Sequence, residues 1–240
     1  SRSDLDKLKI IKMYRVPFGD KEYYHIFNRG AHKSELFKNS RDYFRFLSNI
    51  YNFNDANFNP QNYKYEESKN VVTQKEKRME IVDIIAWCLM PNHYHLLLRQ
   101  KNEKGITKFM RRLGTGFTMY INIKYKHSGH IFEGPFKYKH INHDTQLQHL
   151  TRYIHLNPLD IYDPNWRRKG TRNTEDSKNF ILNYQWSSLN DYLGNKKYHH
   201  LLSPVTKEIV FTQKPKRYIE FLCEWMIKGI PNSLDIAEFE

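Results

Sequence analysis

Ile81-Val82-Asp83-Ile84-Ile85-Ala86-Trp87-Cys88-Leu89-Met90, followed by Pro91-Asn92 and then by His93-Tyr94-His95-Leu96-Leu97-Leu98-Arg99, is the segment on which the fold turns. The first run is apolar and rich in β-branched residues, so it reads as a buried strand. Pro91-Asn92 supplies a two-residue turn, and the second run reads as the returning strand of a hairpin. Side chains alternate along a strand. His93 and His95 therefore share one face, while Tyr94, Leu96 and Leu98 point the other way, into a core.

Outward from the hairpin the pattern switches between periods. Toward the N-terminus, Tyr23 to Asn28 is a short aromatic strand ended by Arg29-Gly30. Phe44, Leu47, Ile50 and Tyr51 then recur at helical spacing after a cap at Asn39 or Ser40. Residues 52–80 form a polar insertion rich in Asn, Lys and Glu.

Toward the C-terminus, Ile106, Phe109, Met110, Leu113, Phe117, Tyr120 and Ile121 trace one face of a long helix. Gly114 and Gly116 each weaken it by about 1 kcal/mol relative to Ala. Phe136 to Ile141 reads as another strand. A helix capped by Asp144 or Thr145 then runs to Asn157-Pro158, where proline disfavours helix at the residue before it.

The order β, α, β, β, α, β, α predicts an α+β fold: a ferredoxin-like or RRM-like antiparallel sheet with helices on one face, plus a C-terminal helical extension. We expect residues 1–160 to form the main domain and 161–240 an accessory segment packing on it or on a nucleic acid. In that segment Asp163 to Asn179 reads as a linker, with short helices around Trp186–Leu193 and Lys216–Ile227.

Thirty-nine Lys and Arg against 26 Asp and Glu give a formal charge of +13. That field attracts polyanions, without separating DNA from RNA or an anionic membrane. Seventeen tyrosines offer rings on which unpaired bases can stack. Cys88 and Cys223 are too few and too far apart for a disulfide framework or a cysteine-rich zinc site, which argues for a reducing, cytoplasmic setting. No apolar run approaches the roughly 20 residues that span a bilayer, and the polar N-terminus lacks a signal-peptide core.

Two positions on one strand face let His93 and His95 converge on a metal, although a lone His-x-His is more often a pair of structural or surface histidines. Tyr153 and Asn157 are four apart, so they stand one above the other on their helix. Asn157 could offer a carbonyl oxygen as a third ligand and Tyr153 a hydroxyl; the alternative is a packed ring and a helix cap. His155, two positions along the same helix, points elsewhere. Among the remaining histidines only His25 and His140, on strands, merit attention. Lys108, Arg111, Arg112, Lys124, Lys137, Lys139 and Arg152, with Arg29 after the first strand, are candidate DNA contacts. A solvated basic face is the other reading.

Pro91-Asn92-His93-Tyr94-His95-Leu96-Leu97-Leu98 and Arg152-Tyr153-Ile154-His155-Leu156-Asn157-Pro158-Leu159 together resemble the single-tyrosine HUH transposases, in particular the REP-associated tyrosine branch. Ile26-Phe27-Asn28-Arg29-Gly30 and Gly129 to Lys137 fit the same pattern, which spans roughly Tyr23 to Leu159. The residue between the two histidines is Tyr94, a departure from the hydrophobic residue of the family name. The Tyr153 context also differs from the Tyr-x-x-Lys of rolling-circle initiators.

The resemblance implies a metal-dependent endonuclease and strand transferase acting on single-stranded, hairpin-forming DNA. Tyr153 would be the nucleophile, and His93, His95 and Asn157 the ligands of a divalent Mg or Mn ion. A covalent 5′-phosphotyrosine is the implied intermediate, and a monomer is expected over a dimer. The competing hypothesis is a non-catalytic RRM-like nucleic-acid binder that keeps the charge and the aromatics but needs no metal.

Overall fold

The computed structural model describes residues 18–62, 78–206 and 215–231. The polar N-terminal residues and most of the 52–80 insertion (residues 63–77) lie outside the described residues. The described strands are β1 (Tyr23–Arg29), β2 (Val82–Met90), β3 (His93–Gln100) and β4 (Lys137–Ile141). They form one antiparallel sheet in the order β2-β3-β1-β4. The expected hairpin is present, with Met90 opposite His93 across the Pro91-Asn92 turn.

One face carries α1 (Ser40–Phe53) and α2 (Gly105–Tyr125). Asn39 caps α1 in a capping box: its side chain accepts from the Arg41 N–H, while Asp42 reaches back to the Asn39 N–H. Tyr94, Leu96 and Leu98 from β3 share a core with Phe46 and Ile50 of α1 and Phe109, Leu113 and Phe117 of α2. This is the βαββαβ arrangement expected of a ferredoxin-like fold.

Helices cover the other face too, which corrects the expectation of a one-sided sheet. That layer is built from α3 (Asp144–Leu156), α4 (Leu159–Tyr162), α5 (Trp166–Lys169), α6 (Thr174–Asn183), α7 (Leu189–Tyr192) and α8 (Pro215–Lys228). Ile85, Ala86, Cys88, Met90 and Leu97 from the sheet join Leu150, Ile154, Trp166, Leu189, Leu222 and Trp225 in a second core. The reason is visible in β2, where every residue is buried. A strand apolar on both faces needs cover on both. A bulge between Ile84 and Ala86 shifts the register, which places Ile85 and Ala86 together in the second core.

Two more expectations are corrected. The Asp163–Asn179 stretch is not a plain linker, since it holds α5 and most of α6, whose first turn is capped by the Asn173 side-chain oxygen. The N-cap of α3 is His143 without a side-chain bond, and Asp144 is already inside the helix. At the other end α3 stops before Asn157 as read, yet Asn157 and Pro158 keep helical angles and the chain re-enters α4 directly.

Residues 186–188 follow the outer edge of β2. Ser188 N–H donates to the Trp87 carbonyl and Leu89 N–H to the Trp186 carbonyl, so that edge is covered rather than left open for another strand. Where the α5 turn meets the end of α8, Gly170 holds a φ of +74°. A Cβ there would collide with the Ile227 carbonyl, so glycine is required on both counts. No described helix is long and apolar enough to cross a membrane.

Candidate functional site

The site lies on the α3 face of the sheet. In β3, His93 and His95 project toward that face, as period two demands. Phe27 sits opposite His95, and Lys137 opposite Phe27, so β1 and β4 line the same face. From above, α3 brings Tyr153 against the imidazoles. Its ring stands edge-on to His95, with centroids 5.6 Å apart. One turn further, Asn157 Oδ1 is 3.2 Å from His93 Nε2. Helical spacing and strand alternation, read separately in the sequence, thus converge on one place.

His93 shows what the pocket suits. Its Nδ1 faces the Asn92 side-chain oxygen at 2.7 Å, and its Nε2 faces the Asn157 side-chain oxygen at 3.2 Å. A neutral imidazole carries one N–H, so it can satisfy only one of these acceptors. Protonation would satisfy both, but burial pushes the His93 pKa down, against a partial lift from Asn157. One nitrogen lone pair is therefore left facing an amide oxygen, and Asn157 Nδ2 is buried without a hydrogen-bond partner among the described residues. A half-turn of the Asn157 amide would remove the conflict. So would a cation between the two acceptors, whose spacing is that of ligands about 3 Å apart on an ion with bonds of about 2.1 Å.

His95 fits the same donor set. Burial, then the nearby His93 and His25, hold its pKa well below the ordinary value, so it is neutral and has a lone pair to offer. His25 Nε2 meets His95 Nδ1 at 2.9 Å and fixes the ring with the other nitrogen available. Among the described residues no trio of His, Cys, Asp and Glu gathers as a metal site. The fit rests on two imidazoles and one amide oxygen.

Next to these groups opens a cavity of about 260 Å³ lined by Arg29, His93, His95, Lys137, Asp160 and Arg167, among others. Tyr153 is fully buried and is not part of that lining. Between it and the open space comes Arg167, its guanidinium carbon 4.7 Å from the centre of the Tyr153 ring. Asp160 grips Arg167 through two bonds, 2.9 Å from Nε and 2.7 Å from Nη2. Burial opposes the charge on Arg167, but Asp160 and Tyr153 more than offset this and hold its pKa above the ordinary value.

The expected DNA contacts divide. Arg29 and Lys137 line the cavity, and Lys139 shares its face through pairing with His25. Lys108 and Arg111 sit on α2, on the opposite side of the sheet, where Arg111 borders a separate hollow with Phe132 and Phe136.

Three cations are engaged inside the fold. Arg112 donates to the carbonyls of Phe53 and Asp55, joining α2 to the end of α1. Lys124 pairs with the buried Asp42 at 2.6 Å. Arg152 corrects the sequence reading most plainly: it is 2% exposed, lies 3.3 Å over the Phe221 ring and pairs with Glu224. A residue next to Tyr153 on a helix points about 100° away from it, here into the C-terminal layer. His155 is likewise turned away, bonded to Tyr218 and Ser188. His140 lies on the other side of β4, against Glu22 and Tyr24.

Residues 58–157 match the family described as Transposase IS200 like. That span contains His93, His95, Tyr153 and Asn157, and it supports the resemblance carried by the two motifs. It leaves out β1 and everything after Asn157. Among solved structures, one of a REP-associated tyrosine transposase bound to a REP hairpin aligns with 79% of this chain and 90% of its own. The identity is 12% and the TM-score 0.49. No curated protein matches the chain.

Proposed function

We propose that this chain is a transposase of the IS200-like kind, a single-tyrosine nickase and strand transferase for single-stranded, hairpin-forming DNA. The observation that carries the proposal is the meeting of Tyr153 with His95 at 5.6 Å while Asn157, one turn along, reaches His93. Residues 1–160 would hold the nucleophile and the metal ligands, and 161–240 would serve as an accessory segment packed against them, in a cytoplasmic monomer.

A divalent cation, Mg²⁺ or Mn²⁺, held by His93, His95 and Asn157 would polarise the scissile phosphate and offset its growing negative charge. Asn92 and His25 fix the two imidazoles from behind, so both present a nitrogen without rotating. Arg29, Lys137 and Lys139 lie where the strand's phosphates would enter.

Tyr153 Oη would attack the phosphorus, forming the Tyr–O–P bond as the P–O3′ bond breaks. The tyrosine proton passes to solvent or a neighbouring base, and the departing 3′-oxygen ends as a hydroxyl. The 5′-phosphate stays on Tyr153 as a diester of nearly equal energy. A 3′-hydroxyl from another strand can then reverse the step, with no nucleotide triphosphate consumed.

Incubating the protein with Mg²⁺ or Mn²⁺ and a panel of single-stranded hairpins should give a DNA–protein adduct that survives denaturing electrophoresis. Failure across the panel, or an adduct that persists in Tyr153→Phe, would refute the proposal. A non-catalytic RRM-like binder is disfavoured because its usual platform, an open sheet face, is covered on both sides here.

A further inference from the structure

Arg167 belongs to none of the motifs and lies beyond the residues that match the family. We propose that it is a phosphate-gripping residue of the candidate active site, contacting the scissile phosphate as that group reaches Tyr153. The proposal rests on the nickase function given above.

Three observations carry it. First, Tyr153 is fully buried, and Arg167 stands against its ring while itself lining the cavity. A phosphorus brought within bonding distance of the Tyr153 hydroxyl from that cavity must come within reach of the guanidinium. Second, the hydrogen-bonding edge of Arg167 is only partly used. Nε and Nη2 are bound by Asp160 and the guanidinium also interacts with the Tyr153 side chain, whereas Nη1 is buried with no hydrogen-bond partner among the described residues. A buried N–H left unmade is costly, and an incoming phosphate oxygen would satisfy it.

Third, the residue is held from both ends. Asp160 is itself fixed by the Trp166 indole N–H at 2.7 Å. The Arg167 carbonyl accepts from Ile230 N–H at 2.8 Å, so the end of α8 clasps the α5 turn. The C-terminal layer thereby delivers a permanently charged guanidinium, held in plane by Asp160, with Nη1 left to donate to a phosphate oxygen.

In the reaction Arg167 would keep its proton throughout. Its Nη1 hydrogens would donate to a non-bridging oxygen while the Tyr–O–P bond forms and the P–O3′ bond breaks, the charge on that oxygen being greatest midway. Lysine cannot reproduce this contact, because its ammonium lacks the fork that Asp160 holds in plane.

The test has two arms. In a Tyr153→Phe background, which cannot cleave, a single neutral methylphosphonate is walked through the linkages at the foot of a hairpin, and affinity is read by fluorescence anisotropy. One linkage should prefer native phosphate by roughly 10-fold or more, and that preference should vanish in Tyr153→Phe/Arg167→Gln. In the second arm, single-turnover adduct formation with Tyr153 intact should fall about 100-fold in Arg167→Gln and by an intermediate factor in Arg167→Lys, with hairpin affinity changing far less.

If no linkage depends on Arg167, or if Arg167→Gln forms adduct at the wild-type rate, the proposal is overturned while the nickase function stands. If the wild type forms no adduct but an Arg167-dependent linkage is found, the phosphate grip survives and the nickase function fails. Arg167→Lys keeps the charge and the buried stem, so it serves both arms if the glutamine variant does not fold.

Discussion

His25 shows how a residue can matter without any motif to announce it. It holds the His95 ring from the side away from the cavity. His25→Phe should therefore lower affinity for Mn²⁺ by about 10- to 100-fold in calorimetric titration while leaving the fold intact; unchanged affinity would show that His95 needs no such partner. His155 supplies a test of a different kind. Complete burial pushes its pKa down to about 3, so the folded protein keeps it neutral. Below about pH 6.5 the unfolded chain takes up a proton that the native state refuses, so stability falls as pH drops toward that lower value. The slope should be about 1.4 kcal/mol per pH unit for this one group. Urea melts between pH 7 and pH 4.5 should show the slope reduced by that amount in His155→Gln; an unchanged profile would contradict the assignment. At this scale His93, His95, Tyr153 and Asn157 were legible because each pair lies within five residues and obeys one period. His25 stands out in the sequence only as a histidine on a strand, without its partner, and Asp160 and Arg167 do not stand out at all. His25 is 70 residues from His95 and joins it only through sheet register, while Asp160 and Arg167 return to the site through a turn that no local pattern specifies.

Two glycines of α2 separate helix propensity from packing. A Cβ at Gly114 would meet nothing within 4 Å, so Gly114→Ala should stabilise by about 1 kcal/mol. At Gly116 the same Cβ would press on the Phe53 ring at 2.7 Å, so Gly116→Ala should gain less or destabilise as Phe53 is displaced. The melting temperature of Gly114→Ala should rise above that of Gly116→Ala, and equal shifts would mean that α1 and α2 do not approach as described. The sequence treats these glycines alike, since only tertiary contact distinguishes them. Strands and long helices were legible from periodicity, and the sheet order follows from their succession. The second helical layer was missed although β2 carried the signal: an unbroken apolar run on an antiparallel strand leaves no face for water. Short helices such as α5 and α6 were missed because four to ten residues carry too little periodicity to rise above a polar composition.

The formal charge of +13 is not a uniform coat. Arg112, Arg152 and Lys124 are engaged within the fold, whereas Arg29, Lys137 and Lys139 share the face that carries His93 and His95. Lys137→Ala should therefore weaken DNA binding and reduce the slope of log affinity against log salt by about 0.7 to 0.9, the share of one phosphate contact. Arg152→Ala should leave that slope unchanged and instead destabilise the protein by on the order of 2 kcal/mol, through lost stacking on Phe221 and Trp225. A salt slope that falls in both variants would mean that the basic residues act as an undivided field. The whole molecule thus couples two layers across one sheet: α1 and α2 stabilise the strands, and the C-terminal layer seats α3 and encloses Tyr153.

The most direct measurement maps the covalent bond itself. Protein is incubated with Mn²⁺ and an internally labelled hairpin, the adduct is digested with protease and nuclease, and the modified peptide is sequenced by mass spectrometry. The account requires a nucleotide 5′-phosphate on Tyr153 and on no other side chain, lost when the ion is chelated or when His93 and His95 are replaced by alanine. A phosphate found on any other residue, or an adduct indifferent to chelation and to those two replacements, would contradict it.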